Sequence, residues 1–262
     1  MLQSTSDWLH VLPLAWMAVV VFGVTYLVAA AIYLGVRMLA AGGRARSVKA
    51  VSPGMLPPLG ILFGLFVAFT AAQVWSDNER AENAVVREAS ALRAVTILAA
   101  SFPGEPEAHL RALVRRHIQD VVAQEWQMMA KRIATLVVTP HALAEALQTA
   151  LALTPTNPGQ QIAQTQTVAQ LEIALEARRQ RILVSGTQVG PLKWFCVFVQ
   201  AACALFAIAM VHSDDGLASA FTMGIFATGV AASVLLIMAF DRPFIGQLAV
   251  TPQPLLQVMP EL

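Results

Sequence analysis

MLPPLGILFGLFVAFTAAQVWSDNERAENAVVREASAL, residues 55–92, decides the architecture. From Met55 to Trp75 it has no ionisable side chain; beyond Trp75 charges come every few residues, and no proline or glycine separates the two parts. At 1.5 Å per residue the first part covers roughly 30 Å, the thickness of a bilayer's hydrocarbon core. The pattern predicts one helix that leaves lipid and continues into water. Pro57 and Pro58 fall in its first turn, where a missing N–H does little harm.

Working outward, three more blocks have the same character: Leu14–Val36, Leu192–Val211 and Leu217–Phe240. An ionisable group at mid-membrane costs about 2.5–3.5 kcal/mol, so charge-free runs of this length read as spans. Trp8, Trp16, Trp75 and Trp194 stand at or near the block ends, as interfacial anchors do. The leader MLQSTSDWLH contains Asp7 and no lysine or arginine, so the first block reads as a retained anchor rather than a cleaved signal. The link HSDDG, 212–216, makes the third and fourth spans antiparallel neighbours, and the link between the first two carries Arg37, Arg44, Arg46 and Lys49.

Composition agrees: 57% of residues are hydrophobic and 13% charged, where soluble domains hold about a quarter charged. A net charge of +1 argues against nucleic acid as a partner. Cys196 and Cys203, seven residues apart, stand roughly 10 Å apart along a helix and cannot bridge within it. They read as packing residues.

Residues 76–190 read as helices. Apolar positions recur at helical spacing at Val85, Ala89, Leu92 and Thr96, then Leu110, Val114, His117, Val121 and Met128, then Val168, Leu171, Leu175 and Ile182. Phe102-Pro103-Gly104 ends one helix, Thr139-Pro140 supplies an N-cap with proline at the first helical position, and 154–159 is a turn-rich loop. Gly186, Gly190 and Pro191 break the last helix. Eleven basic and eleven acidic residues give this stretch a solvated, neutral surface. The expected fold is all-α and integral to the membrane, with four transmembrane helices in two hairpins and an inserted helical soluble domain. Its parts are 1–54 (leader, first span, basic link), 55–75 (second span), 76–190 (soluble domain), 191–240 (third and fourth spans) and 241–262 (tail).

Four spans put both termini and the domain on one side. The first hairpin alone places its basic link inside. Counting Arg80, Arg87, Arg93, Arg178, Arg179, Arg181, Lys193 and Arg242 against the acidic HSDDG places the domain inside instead. Both readings stay open on charge alone.

Five stretches carry a family resemblance: 66–92 as above, HIQDVVAQEW (117–126), LEIALEARRQRI (171–182), GPLKWF (190–195) and DRPFIGQLAVTPQPL (241–255). Together they resemble the bacterial bestrophin-like membrane proteins, a family of largely unassigned function, from about residue 55 to the end. The most specific residues are Glu125, Trp126, Asp241, Pro243, Phe244 and Gly246. Likeness to the bestrophin anion channels is more distant: Thr70 follows Phe69 where the bestrophin pattern has arginine. That resemblance implies a bacterial inner (plasma) membrane location, cytoplasmic termini and domain, and a homo-oligomer, a pentamer on the bestrophin plan. It also implies an anion pore, for an ion such as chloride, lined by the second span.

In that span Leu59, Phe63, Phe66, Thr70 and Gln73 form the candidate pore stripe, with Phe63 and Phe66 as a constriction gating by dewetting; packing in the bundle is the alternative. Gly60, Gly64 and, in the fourth span, Gly224 read as close helix-packing positions, the last in the series Ala220, Gly224, Thr228, Ala232. Arg178, Arg179 and Arg181 read as lipid-head-group contacts, an anion funnel or a solvated face. Glu125-Trp126 reads as a packing tryptophan beside a capping or paired glutamate, or as a subunit contact. Asp241-Arg242-Pro243-Phe244 reads as a helix stop whose Asp241 pairs locally or with a domain base. His212, Asp214 and Asp215 form a polar loop or, less simply, a cation site. No cofactor or metal site is expected, and no nucleophile, base and orienting group converge, so the chain does not read as an enzyme. Two functions remain: an oligomeric anion channel in the lipid bilayer, or a non-conducting membrane scaffold or sensor whose domain binds a protein.

Overall fold

The computed structural model describes His10, residues 12–39 and residues 53–261. Most of the leader with Trp8, and Arg44, Arg46 and Lys49 of the first link, lie outside the described residues. The described chain is all helical, without a strand, in the order α1 (Leu14–Leu39), a 3-10 turn (Pro53–Met55), α2 (Leu56–Ala99), α3 (Glu105–Asp120), a π turn (Val121–Glu125), α4 (Trp126–Ala130), α5 (His141–Ala152), α6 (Pro158–Ser185), α7 (Pro191–Val211), α8 (Gly216–Phe240) and α9 (Gln253–Gln257). Four helices are long and apolar enough to cross a membrane: α1, the first half of α2, α7 and α8. Between Trp75 and Ser76, where apolar sequence gives way to charged, α2 continues unbroken for 44 residues in all.

The chain divides into two compact units. The membrane unit takes the described residues of 1–75 with 188–242 and 246–248. Within it α1, α7 and α8 pack on one another. One core holds Met17, Val21, Phe63, Val197, Val230 and Val234, another Ala29, Val36, Leu205, Met223 and Ala227. The span of α2 is the least covered: 11% of its apolar window is buried, against 39% for α7. At one end Leu14 N–H donates to Gln247 (3.0 Å), Val189 N–H donates to Asp241 (2.6 Å), and Trp75 stacks on Phe240 with centroids 5.8 Å apart. At the other, Tyr33 donates to the Gly216 carbonyl (3.1 Å) and Arg37 donates to Tyr33 (2.8 Å). Asp215 caps α8 by accepting the N–H groups of Leu217 and Ala218, so this member of the HSDDG loop has a helix-capping role.

The second unit takes residues 76–187, 243–245 and the described part of 249–262. One core fills it, with Val85, Leu92, Leu110, Val114, Leu143, Leu171, Phe244 and Leu255 all buried. Asn157 caps α6 by accepting Gln160 N–H (2.9 Å), while the Gln160 side chain accepts Thr156 N–H (2.8 Å), a reciprocal arrangement that satisfies two free donors. Thr139-Pro140 departs from expectation: Pro140 occupies the cap position itself and makes no side-chain cap, and the helix begins at His141. The expected register also shifts after Val121. A π turn takes one more residue per turn than an α-helix, so Met129 rather than Met128 reaches the core.

Leu171→Ala is expected to cost about 2–5 kcal/mol, because it empties a fully buried site. Leu151→Ala, at a position 61% exposed, should cost less than about 0.5 kcal/mol. Thermal unfolding of detergent-solubilised protein separates the two.

Candidate functional site

The membrane half of α2 holds the first candidate site, and burial decides which of its faces is available. Phe63 is buried within the membrane unit, its ring 5.6 Å from that of Phe226. Thr70 is buried too, and its hydroxyl donates to the Phe66 carbonyl (2.9 Å), leaving no free donor. Phe66 packs against the same core as Phe63. Gln73 accepts a hydrogen bond from Lys193. Leu59 is half-buried. The expected stripe therefore turns toward the chain's own bundle, and its two most buried members, Phe63 and Thr70, are corrected from pore-facing to core positions. A different face carries Ile61, Leu65 and Phe69, one helical turn apart and 69%, 51% and 68% exposed.

A Cβ added at Gly60, Gly64 or Gly224 would meet no atom within 4 Å, so none of the three marks a close helix contact inside the chain. Cys196 and Cys203 are both free, as their spacing requires.

The second site is in the soluble unit, where α2, α3, α6 and the π turn bring charged side chains out of water. Arg181 and Glu88 are both fully buried; Arg181 Nε donates to Glu88 Oε2 (2.8 Å) and Nη2 to Oε1 (3.2 Å). The same Nη2 reaches Glu125 Oε2 (3.0 Å), Nη1 approaches Met129 Sδ (3.4 Å), and the guanidinium carbon lies 5.5 Å from the centre of the Trp126 ring. His117 Nε2 is 2.9 Å from Glu88 Oε1. Arg178 Nε donates to Glu125 Oε1 (2.7 Å), and its Nη2 donates to the Val138 carbonyl (3.1 Å). Two guanidinium groups thus face two carboxylates, each with several donors or acceptors satisfied.

These contacts correct the reading of the arginine cluster. Only Arg179 is exposed; Arg178 and Arg181 are interior groups and cannot form a solvated face or touch head groups. No period in the sequence marks them, since charge normally signals the surface. The paired-glutamate reading describes Glu125, and Trp126 packs edge-on against Phe244 with centroids 5.4 Å apart. Of the other signature residues, Pro243 O accepts Val250 N–H (2.7 Å), while Asp241 lies 3.9 Å from His10 Nε2 and accepts Val189 N–H. Gly246 has φ +96°, and a side chain there would also crowd the His10 carbonyl at 3.1 Å, so glycine is required.

Electrostatics follow from this geometry. Burial by itself would raise the Glu88 carboxyl; the Arg181 guanidinium and the His117 contact outweigh it and hold the group at about 2. Burial would likewise lower Arg181, but Glu88 and then Glu125 raise it above its ordinary value. Since Glu88 titrates lower in the folded chain than its ordinary 4.5, its contribution to stability is full above pH 4.5 and disappears as pH falls toward 2. The melting temperature should fall through that window, and fall less steeply in Glu88→Gln. At about pH 7 Glu88→Gln should cost about 3–5 kcal/mol, because Arg181 loses its buried counter-charge, and the double change Glu88→Gln with Arg181→Met should recover part of it. Calorimetric or fluorescence-detected unfolding tests both.

The Bestrophin-like domain family model matches residues 9–255. Two solved structures of single-substitution variants of a bacterial bestrophin homologue from Klebsiella pneumoniae superpose with TM-scores of 0.71 and 0.69. The first is 10% identical and pairs 92% of this chain with 97% of the other; the second is 13% identical and pairs 93% with 99%. A further structure of that homologue, phased on zinc, gives 0.68 at 13% identity, over 92% and 95% of the two chains. At these identities the likeness is one of fold. A search of curated proteins found no match. Its matched length, its four spans and its inserted helical unit make this chain a membrane protein of the bestrophin-like family.

Proposed function

We propose that the chain forms an oligomeric ion channel, selective for anions such as chloride, whose pore is lined by the second span. The observation that carries the reading is the face Ile61, Leu65, Phe69. It is a continuous apolar row, one residue per turn, on the span that its own chain covers least. A span so poorly covered needs lipid or further copies against it. Arranged around an axis, that row makes a narrow apolar neck of the kind that gates by dewetting. Phe63 and Phe66 then support the neck from behind rather than line it. The anion preference and the pentameric count rest on the family resemblance alone. No span of the protein carries an acidic ring that would favour cations.

The same reading divides the chain functionally into 1–54, 55–75, 76–190, 191–240 and 241–262. It places the protein in a bacterial inner membrane with the domain and both termini in the cytoplasm, the side favoured by the eight basic residues near the domain-side span ends.

One observation favours a second reading, a non-conducting scaffold or sensor that binds a protein. The segment after α4 exposes Ile133, Leu136, Val137 and Val138, with Val137 at 88%, in the unit that carries the charge. Pull-down with the full-length protein from membranes distinguishes it by a stoichiometric partner.

Purified protein in planar bilayers should pass chloride, with a reversal potential that follows the chloride gradient. Phe69→Ala should raise open-state conductance or leave the pore constitutively open. Phe63→Ala should act chiefly on stability. A silent bilayer with verified intact oligomer would contradict the channel.

A further inference from the structure

The loop between α4 and α5, residues 131–140, puts apolar side chains where a surface loop normally carries polar or turn-forming ones. Ile133, Leu136, Val137 and Val138 are all exposed. Thr135 and Thr139 are the only uncharged polar residues among them.

Both ends of the stretch are held. At the first, Arg132 N–H donates to the Met129 carbonyl (2.9 Å) and Ile133 N–H to the Met128 carbonyl (2.9 Å), the paired bonds that close a helix through a left-handed residue. That residue is Arg132, with φ +58°, a position glycine usually fills. Its side chain gives a reason for the arginine, because Nη2 donates to the Gly186 carbonyl (3.4 Å). At the second end the Val138 carbonyl accepts Nη2 of the buried Arg178 (3.1 Å). The fold therefore presents the apolar row, turned outward between two anchors.

Charge and reach say what the row meets. From Trp126 to Ala144 there is no acidic residue, while Lys131, Arg132 and His141 are basic. Lys131 is exposed and stands two residues before Ile133. A base beside a short apolar row matches the head-group layer of a bilayer. Apolar side chains enter that layer by about 5–10 Å, and a lysine near it attracts anionic lipid. Gly186, to which Arg132 is tied, comes five residues before Pro191, where α7 begins. Fully extended, five residues cover at most about 18 Å. Trp194, in the first turn of α7, is the residue type that marks a membrane boundary. The loop is thus moored a short length of chain from the bilayer that the protein's own spans occupy. A protein partner would account for the apolar row but not for that mooring.

We propose that the 131–139 loop docks on the bilayer surface, with Val137 and its apolar neighbours in the head-group layer and Lys131 against anionic head groups. The contact depends neither on conduction nor on the number of copies.

Full-length protein carrying Cys196→Ala, Cys203→Ala and Val137→Cys, spin-labelled at position 137, tests it in vesicles of phosphatidylcholine and phosphatidylglycerol. Relaxation of the label should show more collisions with oxygen, which concentrates in lipid, than with a nickel chelate, which stays in water. Leu136→Cys, labelled in the same way, should report the same order. Lys131→Glu should lower the oxygen-to-nickel ratio about five-fold, the weight of one basic contact at an anionic surface. A label that meets the chelate freely places the loop in water and overturns the proposal. A label that meets neither reagent is covered by protein, a second copy or another partner, and overturns it as well. A ratio that Lys131→Glu leaves unchanged overturns the head-group contact.

Discussion

The soluble unit is organised around one ion pair removed from water, Arg181 with Glu88. Stripping two charges of solvent costs several kcal/mol per ion, which attraction repays only with good geometry and further partners. Here the carboxylate takes two bonds from Arg181 and lies within hydrogen-bond distance of His117, while Arg181 is shared with Glu125 and lies over Trp126. Such pairs add little net stability over apolar packing, but removing one partner strands an uncompensated charge in the interior. The residues come from α2, α3, the π turn and α6, so one network sets how four elements meet. The π turn belongs to it: the extra residue rotates the following turn and allows Glu125 to face the arginines while Trp126 meets Phe244.

Glu88 is also on the helix that supplies the second span. That helix contributes Phe63 and Val74 to cores of the membrane unit, and Val85, Leu92 and Val95 to the core of the soluble unit.

Much of this was legible from residue order. The four spans follow from runs without charge, and their ends differ from the structure by a few residues. Leu110, Val114, His117 and Leu171 fall where helical spacing puts them. Three things were not legible, each for a physical reason. Arg178 and Arg181 look like surface residues because their burial depends on carboxylates 53 to 93 positions away in the chain. Met128 and Met129 exchange roles because a π turn leaves no mark in an apolar period. Which face of the second span its own bundle covers leaves no mark either, because every face of a transmembrane helix is apolar, whether it meets lipid, a pore or its own bundle. The family resemblance found the membrane plan, but it could not rotate the helix.

In the proposed channel the second span turns its Ile61, Leu65 and Phe69 face to an oligomer axis. A map of the full-length protein in lipid nanodiscs at side-chain resolution tests it directly. The expected map shows a ring of copies around an open or narrowly closed axis, with those three side chains pointing into it and Phe63 packed behind. A protein whose copies leave that face to lipid, or whose axis is filled by other helices, would contradict it.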